Sequence, residues 1–214
     1  MDETIITAGP KPTGRRLIQL SGADYYPTPA WATYALIDNE TFEGDIWECA
    51  CGDGAMAKVL ELTGRRVVST DLYDRGFGEA GVDFLTSERR AANIVTNPPY
   101  NGADDFVRAG LIAAERKLAL LLRLAFIEGK RRHHRLFAET PPSRIWAFSE
   151  RITFYPAGTV ATNRGTAAYA WFIWDKAAMG QTRLHWLKPG YKTRHGDNVS
   201  RKKQPVADLF DTPA

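Results

Sequence analysis

The first two-thirds of the chain alternates between short apolar runs and longer segments with a helical pattern. Each apolar run has the length and continuous hydrophobicity of a strand buried on both faces. Segments that favour a helix lie at 30–37, 55–62 and 104–115. Alternating strands and helices favour a parallel sheet covered on both faces, so the predicted fold class is α/β. The predicted strands of this part are 45–49, 66–70, 92–96 and 118–122.

The first predicted helix has a defined start. Thr28 is a residue type that often caps a helix N-terminus through its side chain. Pro29 suits the first helical position, where a backbone N–H is not needed. The sequence therefore predicts Thr28 as the N-cap.

The last third has a different pattern. Three apolar runs at 144–148, 169–174 and 183–186 indicate strands, and no long helical segment separates the last two. We therefore expect a C-terminal antiparallel hairpin that closes one edge of an otherwise mostly parallel sheet.

Composition divides the 214 residues into three parts: an arm at 1–22, one domain at 23–187, and a basic tail at 188–214. The net charge is +3, and the tail carries six Lys or Arg against three Asp, which leaves 22 residues of each sign elsewhere. The basic excess thus lies in the tail, which we expect to be flexible. It suits contact with a polyanion, and a merely solubilising role fits equally well.

The cysteines and the apolar runs indicate a cytoplasmic protein. Cys49 and Cys51 are one residue apart, so a disulfide between them would be strained. The chain has only these two cysteines and few histidines, which is too few ligands for a typical thiolate metal site. We therefore expect no bound metal. No apolar run reaches the ~20 residues of a membrane span, and the N-terminus does not have the pattern of a secretory signal.

The first motif that suggests chemistry is Glu48-x-x-x-Gly52-x-Gly54, between a predicted strand and a predicted helix. Glycines allow a sharp turn and a close approach of the backbone to a ligand. Asp71 ends the next predicted strand, where an acid can bind the hydroxyls of a ribose. An ordinary tight turn between strand and helix explains the glycines as well, so this motif alone is weak evidence.

The second motif is Asn97-Pro98-Pro99-Tyr100, at the carboxyl end of another predicted strand. The prolines remove backbone donors and stiffen the loop. The Asn97 side-chain oxygen and the Pro98 carbonyl can then both accept hydrogen bonds from one planar amino group. Tyr100 offers a flat face on which a base can stack.

In this order, the two motifs resemble those of small phage or prophage S-adenosylmethionine-dependent DNA adenine-N6 methyltransferases of the gamma arrangement. Asn97 to Tyr100 matches the catalytic tetrapeptide of that family, and Glu48 to Gly54 matches its cofactor loop. The resemblance implies a Rossmann-like class I methyltransferase fold with S-adenosylmethionine as cofactor and DNA as partner. It also implies that Asn97, Pro98, Pro99 and Tyr100 are catalytic.

The cofactor site implied by the resemblance extends beyond the glycine loop. Residues 26–29 resemble the segment that closes over the methionine end of the cofactor, and residues 82–84 resemble the segment that contacts its adenine. The implied cofactor-binding residues are Tyr26, Thr28, Pro29, Glu48, Cys49, Ala50, Gly52, Gly54, Asp71, Leu72, Asp83, Phe84 and Asn97.

The resemblance selects adenine N6, with short or relaxed sequence specificity because the chain has no room for a separate recognition domain. The residues themselves also fit cytosine N4, an RNA base or a protein glutamine as acceptor. A catalytically silent module that binds DNA or cofactor is a further alternative.

A basic segment, defined as residues 130–135, follows the predicted strand 118–122 and should lie at the same rim as Asn97. Its candidate nucleic-acid-binding residues are Lys130, Arg131, Arg132 and Arg135. A solvated helix face is the alternative for such a charge run. The Gly- and Thr-rich segment 154–166 either covers the target strand or is a plain connection.

Overall fold

A computed structural model describes residues 25–154 and 167–196 of the chain. It has eight strands, which are β1 Ile46–Glu48, β2 Val67–Asp71, β3 Glu79–Ala80, β4 Ala91–Thr96, β5 Ala114–Arg123, β6 Arg144–Phe148, β7 Tyr169–Asp175 and β8 Arg183–Leu187. The helices are α1 Ala30–Ile37, α2 Ala57–Leu60, α3 Ala103–Ala113, α4 Lys130–Arg132 and α5 Tyr191–His195. Short 3₁₀ turns at Glu61–Thr63, Tyr100–Gly102 and Leu124–Ile127 and a π-helical turn at His133–Phe137 complete the described elements.

The strands form one sheet in the order β3-β2-β1-β4-β5-β7-β6-β8. Every neighbouring pair is parallel except the two that involve β7, which is antiparallel to both β5 and β6. The α/β prediction with a mostly parallel sheet and antiparallel pairs near the C-terminus is therefore confirmed.

The last strand corrects one detail of the predicted hairpin. β8 does not pair with β7, its predecessor in the chain, but lies parallel to β6 at the edge of the sheet. Both sides of β7 are already hydrogen-bonded, to β5 and to β6, so the free side of β6 is the edge that remains. Residues 176–182 carry the chain to that edge, where the Arg183 N–H donates to the Ser143 carbonyl at 3.0 Å.

The helix boundaries follow the sequence closely, with one correction. Pro29, not Thr28, is the N-cap of α1, and no side chain caps this helix. The predicted helix 55–62 is a short α2 continued by a 3₁₀ turn, and Gly64 ends it with φ +71°. The helix α3 passes directly into β5, because Ala114 already has an extended backbone.

Helices cover both faces of the sheet, as predicted. Neighbouring residues of β7 show the division, because Phe172 faces one core and Trp171 faces the other, and both are fully buried. The Phe172 side is covered mainly by α3 and the π-helical turn, through Phe106, Val107 and Leu136. The Trp171 side is covered by α1 and α5, through Trp31, Ala35, Leu36 and Tyr191.

α5 lies beyond residue 187, within the stretch that the sequence predicts as a tail. α5 packs on α1, where the rings of His195 and Tyr34 stack with centroids 3.8 Å apart. The Tyr191 hydroxyl accepts a hydrogen bond from the Asn39 side chain at 3.3 Å. The predicted arm 1–22, residues 155–166 of the Gly- and Thr-rich segment and most of the predicted tail lie outside the described residues.

A buried ionic network lies at the amino ends of the parallel strands. Glu40, 5% exposed, accepts hydrogen bonds from Arg144, Lys117 and the Trp146 indole. Arg144 also pairs with Asp175 at 2.9 Å. Burial alone would raise the pKa of Glu40, but the hydrogen bonds from Arg144 and its neighbours outweigh it, and the pKa lies below its ordinary value.

Candidate active site

The candidate active site lies at the carboxyl ends of three adjacent parallel strands. β2, β1 and β4 are neighbours in the sheet, and they end at or beside Asp71, Glu48 and Asn97. These ends face a cavity of about 240 Å³. The predicted site residues that line it are Tyr26, Thr28, Glu48, Cys49, Ala50, Asp71, Leu72, Asp83, Phe84, Asn97, Pro98, Pro99 and Tyr100. Open α/β sheets commonly bind ligands at this edge.

Three predicted cofactor residues, Pro29, Gly52 and Gly54, do not line the cavity. The two glycines have φ of +57° and +78°, so the predicted sharp turn is present. A Cβ on Gly52 would lie 2.3 Å from the ring of Tyr25. The turn therefore requires glycine for two reasons, because a larger residue would clash with Tyr25 and because the backbone φ is positive. The Tyr25 hydroxyl also accepts a hydrogen bond from the Asp53 N–H at 2.9 Å.

Glu48 is a buried acid with an unused oxygen. Its side chain is 2% exposed, and Oε2 has no hydrogen-bond partner among the described residues. Burial raises the pKa of Glu48 well above its ordinary value, and the nearby acids Asp53 and Asp71 add to the rise. A cationic ligand group in the cavity would supply the missing hydrogen-bond partner and would favour the ionised form of the carboxyl group.

The Asp71 carboxylate connects two loops of the site through hydrogen bonds. Its Oδ2 accepts a hydrogen bond from the Gly52 N–H, and its Oδ1 accepts one from the Tyr73 N–H, each at 2.9 Å. The carboxylate thus ties the glycine turn after β1 to the loop after β2. Each carboxylate oxygen can accept a second hydrogen bond, so capacity remains for a ligand hydroxyl.

The Asn97 side chain also has one end engaged and one end unused. Its Nδ2 donates to the Thr28 hydroxyl oxygen at 3.0 Å. Its Oδ1 is buried and has no partner among the described residues. Pro98 is buried beside it, and Pro99 precedes the 3₁₀ turn at Tyr100–Gly102. The amide oxygen of Asn97 therefore lacks a hydrogen-bond donor within the described structure.

Tyr100 lies in an aromatic and cationic environment. Its ring centroid is 6.2 Å from that of Phe154 and 5.8 Å from that of Tyr169. The Arg123 guanidinium lies 4.9 Å from the Tyr100 ring centroid. Arg123 is exposed to solvent. Arg123 is not among the residues predicted from the sequence, although its position at the carboxyl end of β5 is a signal for a site residue.

Asp83 and Phe84 both line the cavity, and Phe84 also belongs to the hydrophobic core. Phe84 is 3% exposed and packs against Trp47 and Phe106, with ring centroids 5.2 and 5.1 Å away. Asp83 Oδ1 accepts a hydrogen bond from the Leu85 N–H at 3.0 Å, which shapes the turn that follows. Both residues still line the cavity, so the structure brings them to the predicted site.

The rim beside the glycine turn holds a further cation that the sequence analysis missed. The Arg75 guanidinium lies 4.3 Å from the ring centroid of Tyr25 and 5.4 Å from that of Tyr73. All three residues line the cavity. No local motif marks Arg75, and only the placement of the two rings reveals it.

The basic segment lies outside the cavity lining, and its members differ. Lys130, Arg131 and Arg135 are exposed. Arg132 instead pairs with Asp104 at 2.8 Å and donates to the carbonyls of Phe126 and Glu128. Arg132 therefore stabilises the local fold, and the other three are the cations available to a polyanion.

The two cysteines of the glycine loop are buried thiols at the cavity. Cys49 and Cys51 are buried and free. Burial raises the pKa of Cys51 to about 12 and that of Cys49 well above its ordinary value, so both thiols stay protonated at neutral pH.

In the part of the chain that the structure describes, no group of three or more His, Cys, Asp or Glu side chains is placed to hold a metal ion. None of the helices in residues 25–154 and 167–196 has the length and apolarity to cross a membrane.

Comparison with known proteins identifies the fold. No family model and no curated protein matches the sequence. The structure is similar to the modification subunit of a proposed type I restriction enzyme from Vibrio vulnificus YJ016, with a TM-score of 0.53 and 12% identity over 78% of this chain and 48% of that one. It is also similar to a proposed class I S-adenosylmethionine-dependent methyltransferase from Listeria monocytogenes, with a TM-score of 0.51 and 14% identity over 73% and 62% of the two chains.

A third similar structure is a proposed RNA methyltransferase from Pyrococcus horikoshii, with a TM-score of 0.51 and 13% identity over 69% of this chain and 80% of that one. The chain spans about half the length of the Vibrio subunit. These likenesses show that the protein has the Rossmann-like fold of class I methyltransferases, as the resemblance implied.

Proposed function

We propose that this protein transfers a methyl group from S-adenosylmethionine to the N6 amino group of adenine in DNA. The observation that carries the proposal is that Asn97, a residue that lines the cavity, has a buried side-chain oxygen without a hydrogen-bond partner among the described residues. A buried acceptor without a donor is costly unless a ligand supplies the donor. The exocyclic amino group of a base is a planar donor of the kind that this oxygen lacks.

The residues of the cavity fit the proposed cofactor. Glu48, with its unused Oε2, suits the cationic amino group of the methionine part, and Asp71 has remaining acceptor capacity for ribose hydroxyls. Asp83 and Phe84 line the cavity where the resemblance implies contact with the cofactor adenine. When bound, the cofactor supplies an electrophilic methyl group on a sulfonium.

The acceptor chemistry follows from two oxygens. An aromatic amino nitrogen is a poor nucleophile because its lone pair is delocalised into the ring. Hydrogen bonds to Asn97 Oδ1 and to the Pro98 carbonyl would favour a more tetrahedral nitrogen with an available lone pair. Placing the two reactants in line would then contribute several powers of ten to the rate, and the proton that the methylated nitrogen loses would pass to solvent without a general base.

Nucleic acid as the acceptor is supported by the charges around the site. Arg123 is exposed and lies against Tyr100, the residue proposed to stack on the target base. Lys130, Arg131 and Arg135 are exposed on the segment that follows β5, whose carboxyl end is at the same edge as Asn97. An adenine inside a duplex must be flipped out to reach the cavity, at a cost of a few kcal/mol.

The test is methyl transfer from labelled cofactor to duplex DNA, single-stranded DNA, RNA and protein, followed by mass spectrometry of the digested products. We expect N6-methyladenine from DNA, at short or relaxed sites. Asn97→Ala should abolish transfer and leave cofactor affinity nearly unchanged, because Asn97 serves the acceptor.

The matched control is Asn101→Ala, an exposed asparagine four positions further along the same loop that does not line the cavity. This control should retain activity. N4-methylcytosine as the sole product, or label on RNA or protein alone, would assign a different acceptor. No transfer to any acceptor by the wild-type protein would refute the proposed activity.

A further inference from the structure

We infer that Thr28 is a positioning residue for Asn97, which goes beyond the cofactor contact implied by its place in the sequence. The Thr28 hydroxyl oxygen accepts the hydrogen bond from Asn97 Nδ2 at 3.0 Å, across 69 residues of chain. Thr28 is 5% exposed and does not cap α1. Its hydroxyl is therefore engaged with the proposed catalytic side chain.

Both partners of this hydrogen bond belong to stiff backbone. Thr28 lies between Pro27 and Pro29, and Asn97 is followed by two prolines. Proline fixes its own φ and restricts the residue before it, so both segments have few alternative conformations. The contact therefore joins two rigid loops, which is the arrangement that holds a catalytic group in one geometry.

The hydrogen bond determines what the amide presents to the cavity. With Nδ2 bound to Thr28, the opposite end of the carboxamide, Oδ1, is left without a partner. A rotated amide would place an N–H donor where the amino group of the substrate must also donate. Anchoring the nitrogen end therefore keeps an acceptor available for that group.

This inference rests on the proposed function, and Thr28→Val tests it. The substitution keeps the shape of the side chain and removes the hydroxyl. We expect kcat to fall about tenfold, which corresponds to ~1.4 kcal/mol, comparable to the net value of one hydrogen bond. Affinity for S-adenosylmethionine, measured by calorimetry, should stay within about twofold, and Thr28→Ser should recover most of the lost rate.

The matched control is Thr33→Val in α1. Thr33 is fully buried, and its hydroxyl has no hydrogen-bond partner among the described residues. The same chemical change at this position should leave kcat and thermal stability near the wild-type values. A fall in kcat for both valine variants would indicate a general packing effect and would overturn the inference.

A second measurement does not depend on activity. Solvent exchange of the Asn97 side-chain amide protons, followed by NMR and assigned from the Asn97→Ala spectrum, should accelerate in Thr28→Val and not in Thr33→Val. If the wild-type protein methylates no acceptor, the proposed function fails, and this exchange still tests the contact. Unchanged exchange, unchanged kcat, or a loss confined to cofactor affinity would each refute the positioning role.

Discussion

Glu48→Gln should have opposite effects on stability and on cofactor binding. Glu48 is 2% exposed, and burial raises its pKa well above the ordinary value. Between the unfolded and the folded pKa, the folded protein holds a proton that the unfolded chain has lost. The free energy of unfolding therefore falls as pH rises through this window, by up to about 1.4 kcal/mol per pH unit.

Glutamine has the same shape and does not ionise, so the substitution should remove this pH-dependent loss. The advantage of Glu48→Gln over the wild type should grow as pH rises above the unfolded pKa of the glutamate, measured by urea unfolding followed by tryptophan fluorescence. The matched control is Glu61→Gln, an exposed glutamate in the 3₁₀ turn after α2, which should leave the pH dependence unchanged.

Cofactor affinity should move in the other direction. A hydrogen bond to a charged group contributes about 1.5–3 kcal/mol, so losing the carboxylate should weaken S-adenosylmethionine binding about ten- to a hundredfold. Calorimetry at pH 8 measures this directly. Parallel pH profiles of stability for the two proteins would show that the pKa of Glu48 is not raised in the folded state. Equal affinities would show that Glu48 does not bind the cofactor.

Three further changes test other parts of the structure. Asp71→Ala should weaken cofactor binding about ten- to a hundredfold, through loss of a charged acceptor and of the contact to the Gly52 turn, and unchanged affinity in calorimetry would contradict this role. Each alanine at an exposed cation of the basic segment should lower the log–log salt slope of duplex DNA binding by about 0.9, whereas Arg132→Ala should mainly reduce stability. Glu40→Gln should destabilise the fold at pH 7 by ~3 kcal/mol. Because the folded pKa of Glu40 is lowered, that contribution is present above the unfolded pKa and disappears as pH falls through the folded pKa, so equal losses at pH 7 and at strongly acidic pH would refute the assignment.

The elements and the site loops could be predicted because their signals are local. Continuous apolar runs marked the buried strands, and Gly52, Gly54 and the two prolines after Asn97 marked sharp or stiff loops at strand ends. Since parallel neighbours end at the same edge, the motifs were expected to meet, and the cavity formed at that edge contains residues from each of them. Periodicity and backbone restriction act over a few residues, so the sequence displays them directly.

The tertiary structure decided which groups meet across the sheet. Three contacts depend on how the elements pack against each other. They are the pairing of β8 with β6, the hydrogen bond between Thr28 and Asn97, and the ion pair between Arg132 and Asp104. The same is true of the Glu40 network, where Arg144 lies 104 residues away in the chain. A side chain with hydrogen-bonding capacity has many equally suitable partners in a sequence, and only the folded chain selects one of them by distance and burial.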